Sequence, residues 1–150
     1  MIPGIVVSID PGNNYGWATW LDGKLVGSGN GKVGKFTSIW LPGLYADLVI
    51  IETPYFYPGD RPGQANSLIK LAYTAGQLSL KVPLCVPNGR IETVKPSQWK
   101  GSVPKIIHQK RIITELEQYG HAAPVRATSD EIDAIGIGLW AQKNLKVKNG

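Results

Sequence analysis

The order of apolar and polar residues predicts three antiparallel strands at the start of the chain. Residues 5–10 form a short β-branched apolar run that ends at Pro11 and Gly12, and residues 15–21 resume with the aromatic and apolar residues typical of a strand. These two runs form a hairpin. The turn at Asp22 and Gly23 leads into residues 24–28, which we expect to add a third antiparallel strand.

The rest of the chain alternates between predicted strands and helices. Residues 48–51 are continuously apolar, as is typical of a central strand covered on both faces, so Glu52 lies at the carboxyl end of that strand. The pattern then predicts a helix over residues 64–80, a strand over 82–86, and helices over 105–119 and 130–145. This order predicts a single domain over residues 1–150 with a mixed α/β layer architecture.

Two of the predicted helices differ in how many faces they need to bury. The helix from Gln64 to Leu80 has two apolar stripes, so it needs two partners. A second copy of the chain and a wholly buried position within the monomer both satisfy that need. The first stripe is Leu68, Leu71, Ala72, Ala75 and Leu78, the second is Ile69, Tyr73 and Leu80, and the helix over 105–119 has one face with Ile106, Ile113 and Leu116.

Composition narrows the class of protein. The single Cys85 excludes an internal disulfide and a thiolate zinc site, and we expect a reducing, cytoplasmic setting. The longest near-apolar run, residues 134–141, is too short to span a bilayer, so we expect no membrane contact. The net charge of +5 favours a polyanionic partner, although plain solubility gives the same balance.

The basic residues are unevenly distributed. No acid occurs between Thr93 and Thr114, and a second basic group ends the chain at Lys143, Lys146 and Lys148. A solvated face explains such runs as well as a nucleic-acid contact does. The bases in the acid-free segment are Lys95, Lys100, Lys105, Lys110 and Arg111.

Two acids lie at the ends of predicted strands. Asp10 closes the first strand, where an Asx-type turn cap is the plain structural interpretation. Glu52 is harder to explain in that way, because its carboxylate adjoins the buried surface of residues 48–51 and an unpaired charge there is costly. Glu52 therefore needs a cation.

Two further acids begin the last helix. Asp130 and Asp133 are three residues apart and project from one face, and Thr128 with Glu131 has the spacing of a capping box. Asp130 also suits the helix dipole. Asp133 belongs to a stripe that continues to Ile137 and Trp140, so it turns toward the core, and Gly136 with Gly138 permits close packing against a sheet.

If the four acids converge, they form a site that only hard cations neutralise. Carboxylate oxygens suit Mg²⁺ or Mn²⁺, and two such ions about 4 Å apart activate a water and stabilise the leaving oxygen of a phosphodiester. With four of the 11 acidic residues assigned to metal, the remaining surface has 16 Lys and Arg residues and seven acidic residues. This surplus of positive charge favours binding to a nucleic-acid backbone.

The order of motifs resembles the RuvC-type Holliday junction resolvases of the RNase H-like superfamily, particularly their short, phage-like members. The motifs are residues 8–12 followed by Gly16, residues 49–52, residues 95–101 with Lys105, and residues 129–134. The similarity extends from Ile5 to about Ala141. It implies an RNase H-like mixed sheet of three antiparallel strands then parallel strands, flanked by helices, with Asp10, Glu52, Asp130 and Asp133 as the ligands of two metal ions.

The resemblance also implies partners. It implies a homodimer, formed through the helix from Gln64 to Leu80, that nicks a four-way DNA junction symmetrically. Lys105 matches a basic residue that the family places near the scissile phosphate. The loop of Tyr55, Phe56 and Tyr57 lies where the family inserts an aromatic residue near the junction centre, although turn packing explains these aromatics equally well.

Three competing functions are to be weighed. An actin-like ATPase is disfavoured, because 150 residues leave no room for a second domain. A broader nuclease that cuts forks and flaps would use the same metal site. A non-catalytic junction-binding relative would have lost at least one acid, and all four are present. Trp99 is expected to belong to the core rather than to contact DNA.

Overall fold

Five strands form one mixed sheet in the computed structural model of the chain, which describes residues 1–12, 14–32, 46–55, 69, 72, 75–76 and 90–145. In chain order the strands are β1 (Ile5–Pro11), β2 (Tyr15–Leu21), β3 (Lys24–Gly31), β4 (Leu48–Glu52) and β5 (Arg90–Val94). Three helices follow, α1 (Pro96–Trp99), α2 (Lys105–Gln118) and α3 (Ser129–Asn144).

The sheet combines an antiparallel meander with a parallel half. Its spatial order is β3-β2-β1-β4-β5; β1 pairs antiparallel with β2, and β2 with β3. The pairs β1 with β4 and β4 with β5 are parallel. The expected α/β fold class, with three antiparallel strands followed by parallel strands and flanking helices, is confirmed.

The strand β5 was not predicted. Its polar residues Arg90 and Glu92 form an ion pair with each other, and only Val94 is buried, so the segment lacks the apolar run of a central strand. Pairing with β4 determines its conformation, because Ile91 and Thr93 align with two buried residues of that strand. The predicted strand over residues 82–86 lies outside the described residues.

The sheet is buried on both faces, as the continuous apolar runs predict. One cluster packs with α3 and includes Val6, Trp20, Ile50, Ile135 and Ile137. Alternate residues of the same strands form a second cluster on the opposite face, with Val7, Ile9, Tyr15, Val49 and Ile51.

The helix α3 packs against β1 and β2 at two close approaches. A Cβ at Gly16 would overlap the backbone of Asp130, and a Cβ at Gly138 would overlap the indole of Trp20. Ser8 on β1 adds a hydrogen bond, because its Oγ donates to the carbonyl oxygen of Ala134 at 2.7 Å. The predicted close packing at Gly138 is confirmed, whereas Gly136 packs against Trp99 and Ile112 rather than against the sheet.

The capping box that begins α3 is confirmed. Thr128 Oγ1 accepts from the Glu131 backbone N–H, and the Glu131 carboxylate accepts from the Thr128 backbone N–H. Glu131 is buried and also accepts a hydrogen bond from Ser28 Oγ at 2.7 Å. The start of α3 is therefore tied to β3, the far edge of the described sheet.

The predicted apolar face of α2 was right for Leu116 and wrong for Ile106. Ile112 and Leu116 are the buried residues of the helix, while Ile106 is 71% exposed and Ile113 is only partly buried. Adjacent isoleucines occur twice in α2, so two neighbouring faces of the helix are equally apolar in the sequence. Tertiary packing therefore determines which face is buried.

Four residues of the predicted helix 64–80 are described. Ile69, Ala72, Ala75 and Gly76 are helical; Ala75 is buried and Ile69 is 65% exposed. Ala72 is exposed, contrary to its assignment to the same stripe as Ala75. The other members of both stripes lie outside the described residues. No helix in the described part of the chain has the length and apolar character needed to cross a membrane.

Candidate active site between two strand ends and a helix

The four predicted acids line one cleft of 210 Å³ at the carboxyl ends of β1 and β4. Two lysines line the same cleft, together with the loop residues that follow each strand. The lining residues are Asp10, Pro11, Gly12, Glu52, Pro54, Lys100, Lys105, Asp130 and Asp133.

Strand register brings the first two acids together. The parallel pair aligns Ile9 with Ile51, so Asp10 and Glu52 follow at the next position of neighbouring strands. Side chains alternate across a strand, which puts Asp10 on the same face as Ser8, the residue that bonds to α3. Both carboxylates therefore lie on the sheet face that α3 covers.

Close backbone approach brings the other two acids to this edge. Asp10 pairs with Gly16 across β1 and β2, and the missing side chain of Gly16 lets the Asp130 backbone lie directly on β2. Asp133 lies one helical turn further along α3, where it is buried with 2% of its surface exposed.

Burial, and then the charges of neighbouring groups, raise the pKa of Asp10, Glu52 and Asp130. The pKa of Asp10 is raised to about 8, first by burial and then by the charges of Glu52, Asp133 and Asp130, with Lys100 acting in the opposite direction. Burial likewise raises the pKa of Glu52 and of Asp130, against the lowering effect of nearby lysines. A cation in the cleft is needed before all of these groups are ionised at neutral pH.

Lys105 is the partner of the most buried acid. Its Nζ lies 3.1 Å from Asp133 Oδ2, and its side chain is 56% exposed. Burial lowers the pKa of Lys105, but Asp133, Asp10 and Asp130 outweigh that effect and raise it. Gln109, one turn along α2, donates from Nε2 to Asp133 Oδ1 at 2.9 Å and to Ser129 Oγ at 2.8 Å.

Glu52 is held from the side of α1. Trp99 donates from its indole Nε1 to Glu52 Oε2 at 2.5 Å, and Lys100 Nζ lies 3.5 Å from the same oxygen. The indole is 9% exposed and meets the His108 ring edge to face at 4.9 Å. Trp99 thus belongs to the core, as expected, and also contacts the acidic cleft.

Sequence reasoning did not find Trp99 and Gln109 as partners of the acids. For Gln109 a signal exists, since it follows Lys105 by four residues and thus shares its helix face. For Trp99 the only signal is its position beside Lys100 in the acid-free segment.

The chemistry of the donors fits a divalent cation. Carboxylate oxygens from three elements are the hard ligands that Mg²⁺ and Mn²⁺ prefer, and their mutual repulsion is relieved by positive charge. Among the described residues, no three His, Cys, Asp or Glu side chains are already arranged around one ion position. Lys100 and Lys105 supply the positive charge in the present arrangement, through contacts with Glu52 Oε2 and Asp133 Oδ2.

The other predicted DNA contacts that the structure describes do not line this cleft. Lys95 is exposed, and its Nζ lies 4.8 Å from the ring centroid of Tyr55, which is 40% exposed. Lys110 and Arg111 are exposed on α2. Phe56 and Tyr57 lie outside the described residues.

Solved structures of RuvC share this fold. A structure of T. thermophilus RuvC in complex with a Holliday junction substrate matches with a TM-score of 0.60 and 15% identity over 92% of each chain. A second structure of Thermus thermophilus RuvC gives a TM-score of 0.58 and 17% identity over 92% of this chain and 93% of that one. Neither a family model nor a curated protein sequence matches the chain. The expected RuvC fold is thus confirmed.

Proposed function

We propose that this chain, which has the RuvC fold, is a divalent-metal-dependent endonuclease that resolves four-way DNA junctions by paired symmetric nicks. One observation carries the proposal: four carboxylates from β1, β4 and α3 line a single cleft that two lysines share. A cleft of this composition suits phosphodiester hydrolysis, because that reaction needs hard-metal ligands and cations for phosphate in the same place.

Each cleft residue has a distinct part in this proposal. Asp10, Glu52, Asp130 and Asp133 would hold two Mg²⁺ or Mn²⁺ ions, which supply an activated water and stabilise the leaving oxygen. Lys105 keeps the buried Asp133 neutralised until the metal binds. Its mostly exposed side chain can then bind a non-bridging oxygen of the scissile phosphate.

Charge and fold support branched DNA as the substrate. The basic segment with Lys95, Lys100, Lys105, Lys110 and Arg111 contains no acid, and two of its lysines, Lys100 and Lys105, line the cleft. The RuvC structure that shares the fold is a complex with a Holliday junction substrate, which supports the choice of a four-way junction over linear DNA. Two nicks related by symmetry need two sites, so the proposal includes a homodimer formed through the helix from Gln64 to Leu80.

The test is cleavage of synthetic four-way, forked, flapped and linear DNA with Mg²⁺ and with EDTA. The unmodified protein should cut the four-way junction in the presence of Mg²⁺ and should not cut it in EDTA. Asp10→Asn, Glu52→Gln, Asp130→Asn and Asp133→Asn should bind the junction and fail to cut it, because each removes a metal ligand and leaves the basic surface.

Glu117→Gln is the matched control, since Glu117 is an exposed acid of α2 that does not line the cleft. It should cut at the unmodified rate. Equal cutting of forks and flaps would favour the broader branched-DNA nuclease, and binding without any cutting would favour a non-catalytic relative. Cleavage that persists in EDTA would refute the metal mechanism.

A further inference from the structure

A second cavity, of 330 Å³, adjoins the acidic cleft at Lys100, which lines both. The cavity lies between α1, α2 and α3, and its size is within the range of about 300–1,000 Å³ typical of ligand pockets. Three aromatic rings and three basic side chains share its wall. We call it the aromatic groove and define it by Trp99, His108, Trp140, Lys100, Arg111 and Lys143.

The basic side chains of the aromatic groove are incompletely neutralised. Glu115 is the acid in its lining, and it pairs with Lys143 at 2.7 Å. Arg111 is exposed and has no ion-pair partner among the described residues. Burial lowers the pKa of His108, so that ring is uncharged at neutral pH. The groove therefore has excess positive charge and fits an anion.

The aromatic rings make the groove suited to a flat ligand. Trp140 is a partly buried residue of α3 that lines the cavity, so its indole is not enclosed by the core as Trp20 is. Trp99 and His108 pack edge to face on the adjoining wall. An aromatic surface beside an unpaired cation, here Arg111, is the combination that binds a base and its phosphate in single-stranded nucleic acid.

We propose that the aromatic groove binds one unpaired nucleotide of the DNA strand that leaves the acidic cleft, with its base stacked on Trp140 and its phosphate on Arg111. This inference rests on the proposed function and assigns a binding site to an unpaired nucleotide of the branched substrate. Lys100 lines both the acidic cleft and the aromatic groove, so a phosphate bound to Lys100 connects the DNA in the cleft with the nucleotide in the groove. Stacking accepts any base, so the groove selects for an unpaired nucleotide rather than for a sequence.

The test couples a change in the protein to a change in the DNA. Equilibrium binding is measured without divalent metal on a set of four-way junctions, each with one nucleotide near the branch point replaced by an abasic residue. For the unmodified protein, one abasic position should weaken binding about tenfold, the scale of one base stack. Trp140→Ala should weaken binding to intact DNA by the same factor, and the abasic residue at that position should then weaken binding no further. Trp140→Phe should respond to the abasic residue as the unmodified protein does.

The phosphate contact is tested by salt dependence. Arg111→Gln should reduce the slope of log affinity against log salt by about 1, as expected for one lost phosphate contact. Lys24→Gln removes the same charge from exposed Lys24 at the start of β3 and should leave the slope unchanged. Arg111 is exposed, so this variant keeps the test valid if circular dichroism shows that Trp140→Ala is misfolded.

The outcomes separate this inference from the proposed function. If the unmodified protein cuts junctions in Mg²⁺ but Trp140→Ala and Arg111→Gln bind every DNA like the unmodified protein, the nucleotide site is refuted and the nuclease is not. If the unmodified protein cuts no DNA, but the losses of binding free energy from the abasic residue and from the Trp140 substitution are not additive, the nucleotide site stands and the nuclease is refuted. An additive effect also refutes the site.

Discussion

At the scale of single residues, Glu52 is held through one of its two oxygens. Trp99 and Lys100 both contact Oε2, and none of the described residues donates to Oε1. Hydrogen-bond donors of this kind fix the orientation of a carboxylate before a ligand binds. Oε1 is therefore the oxygen that we expect to meet a metal ion.

Replacing Trp99→Phe should weaken metal-dependent cleavage without unfolding the protein. The aromatic ring is kept, but the hydrogen bond to Glu52 is lost, and such supporting contacts are worth about 10–100-fold in metal affinity or activity. The measurement is cleavage rate against Mg²⁺ concentration. The half-maximal concentration should rise, while Trp17→Phe, on β2, should leave it unchanged. An unchanged metal requirement in Trp99→Phe would show that the indole has a packing role only.

Asp10 should make the metal-free protein less stable as pH rises. Its folded-state pKa of about 8 exceeds the ordinary value of 3.8, so between about pH 4 and 8 the folded chain keeps a proton that the unfolded chain loses. Stability therefore falls across that window as pH rises. Glu52 and Asp130, whose pKa values are also raised, act in the same direction.

The difference between the unmodified protein and Asp10→Asn isolates this effect. In EDTA, Asp10→Asn should be the more stable protein at pH 8, and the gap should close toward pH 4. Adding Mg²⁺ at pH 8 should raise the thermal midpoint of the unmodified protein more than that of the variant. A stability gap that is the same at pH 5 and pH 8 would contradict the raised pKa.

At the scale of elements, the position of α3 determines whether the site exists. The helix provides two of the four acids, and its first turn is fixed by the capping box, by the bond from Ser28 to Glu131 and by contact with Gly16. The sheet provides the other two acids at the carboxyl ends of adjacent strands. The distance between sheet and helix at Gly16 therefore determines the distance between the two pairs.

Gly16→Ala should damage stability and activity together. The added methyl overlaps the Asp130 backbone, and overpacking of this kind costs about 1–3 kcal/mol. Urea unfolding should show the loss, and cleavage should fall because α3 moves away from Asp10. Gly27→Ala is the control, since its methyl meets only the Trp17 ring at ordinary contact distance, 3.7 Å. Equal stability of the two variants would contradict the close approach.

The sequence predicted the elements that apolar runs define and missed those that packing defines. The strands β1, β2 and β4 and the capping box of α3 follow from local patterns, and the positions of Asp10 and Glu52 follow from the strands. The strand β5 and the buried face of α2 depend on contacts with other elements. The bonds from Trp99 to Glu52 and from Gln109 to Asp133 join separate elements, so local patterns do not contain them.

At the scale of the whole molecule, paired nicking requires two clefts. The described residues of one chain form one such acidic cleft, so a two-fold dimer is the simplest assembly that cuts two strands symmetrically. Ile69, from the second predicted stripe of the helix 64–80, is helical and 65% exposed. An exposed isoleucine on that stripe agrees with a face that a second copy would cover.

Ile69→Glu should convert the proposed dimer into a monomer. A charge brought into an apolar interface without a partner costs several kcal/mol, so the dissociation constant should rise at least about 100-fold. Sedimentation equilibrium at micromolar concentration measures this, and a junction in a supercoiled plasmid reports whether the two nicks are made together. Ile69→Glu should make single, uncoupled nicks, while Val125→Glu, at a 91% exposed loop position, should remain dimeric. Paired nicking by a protein that sediments as a monomer with and without DNA would refute the dimer.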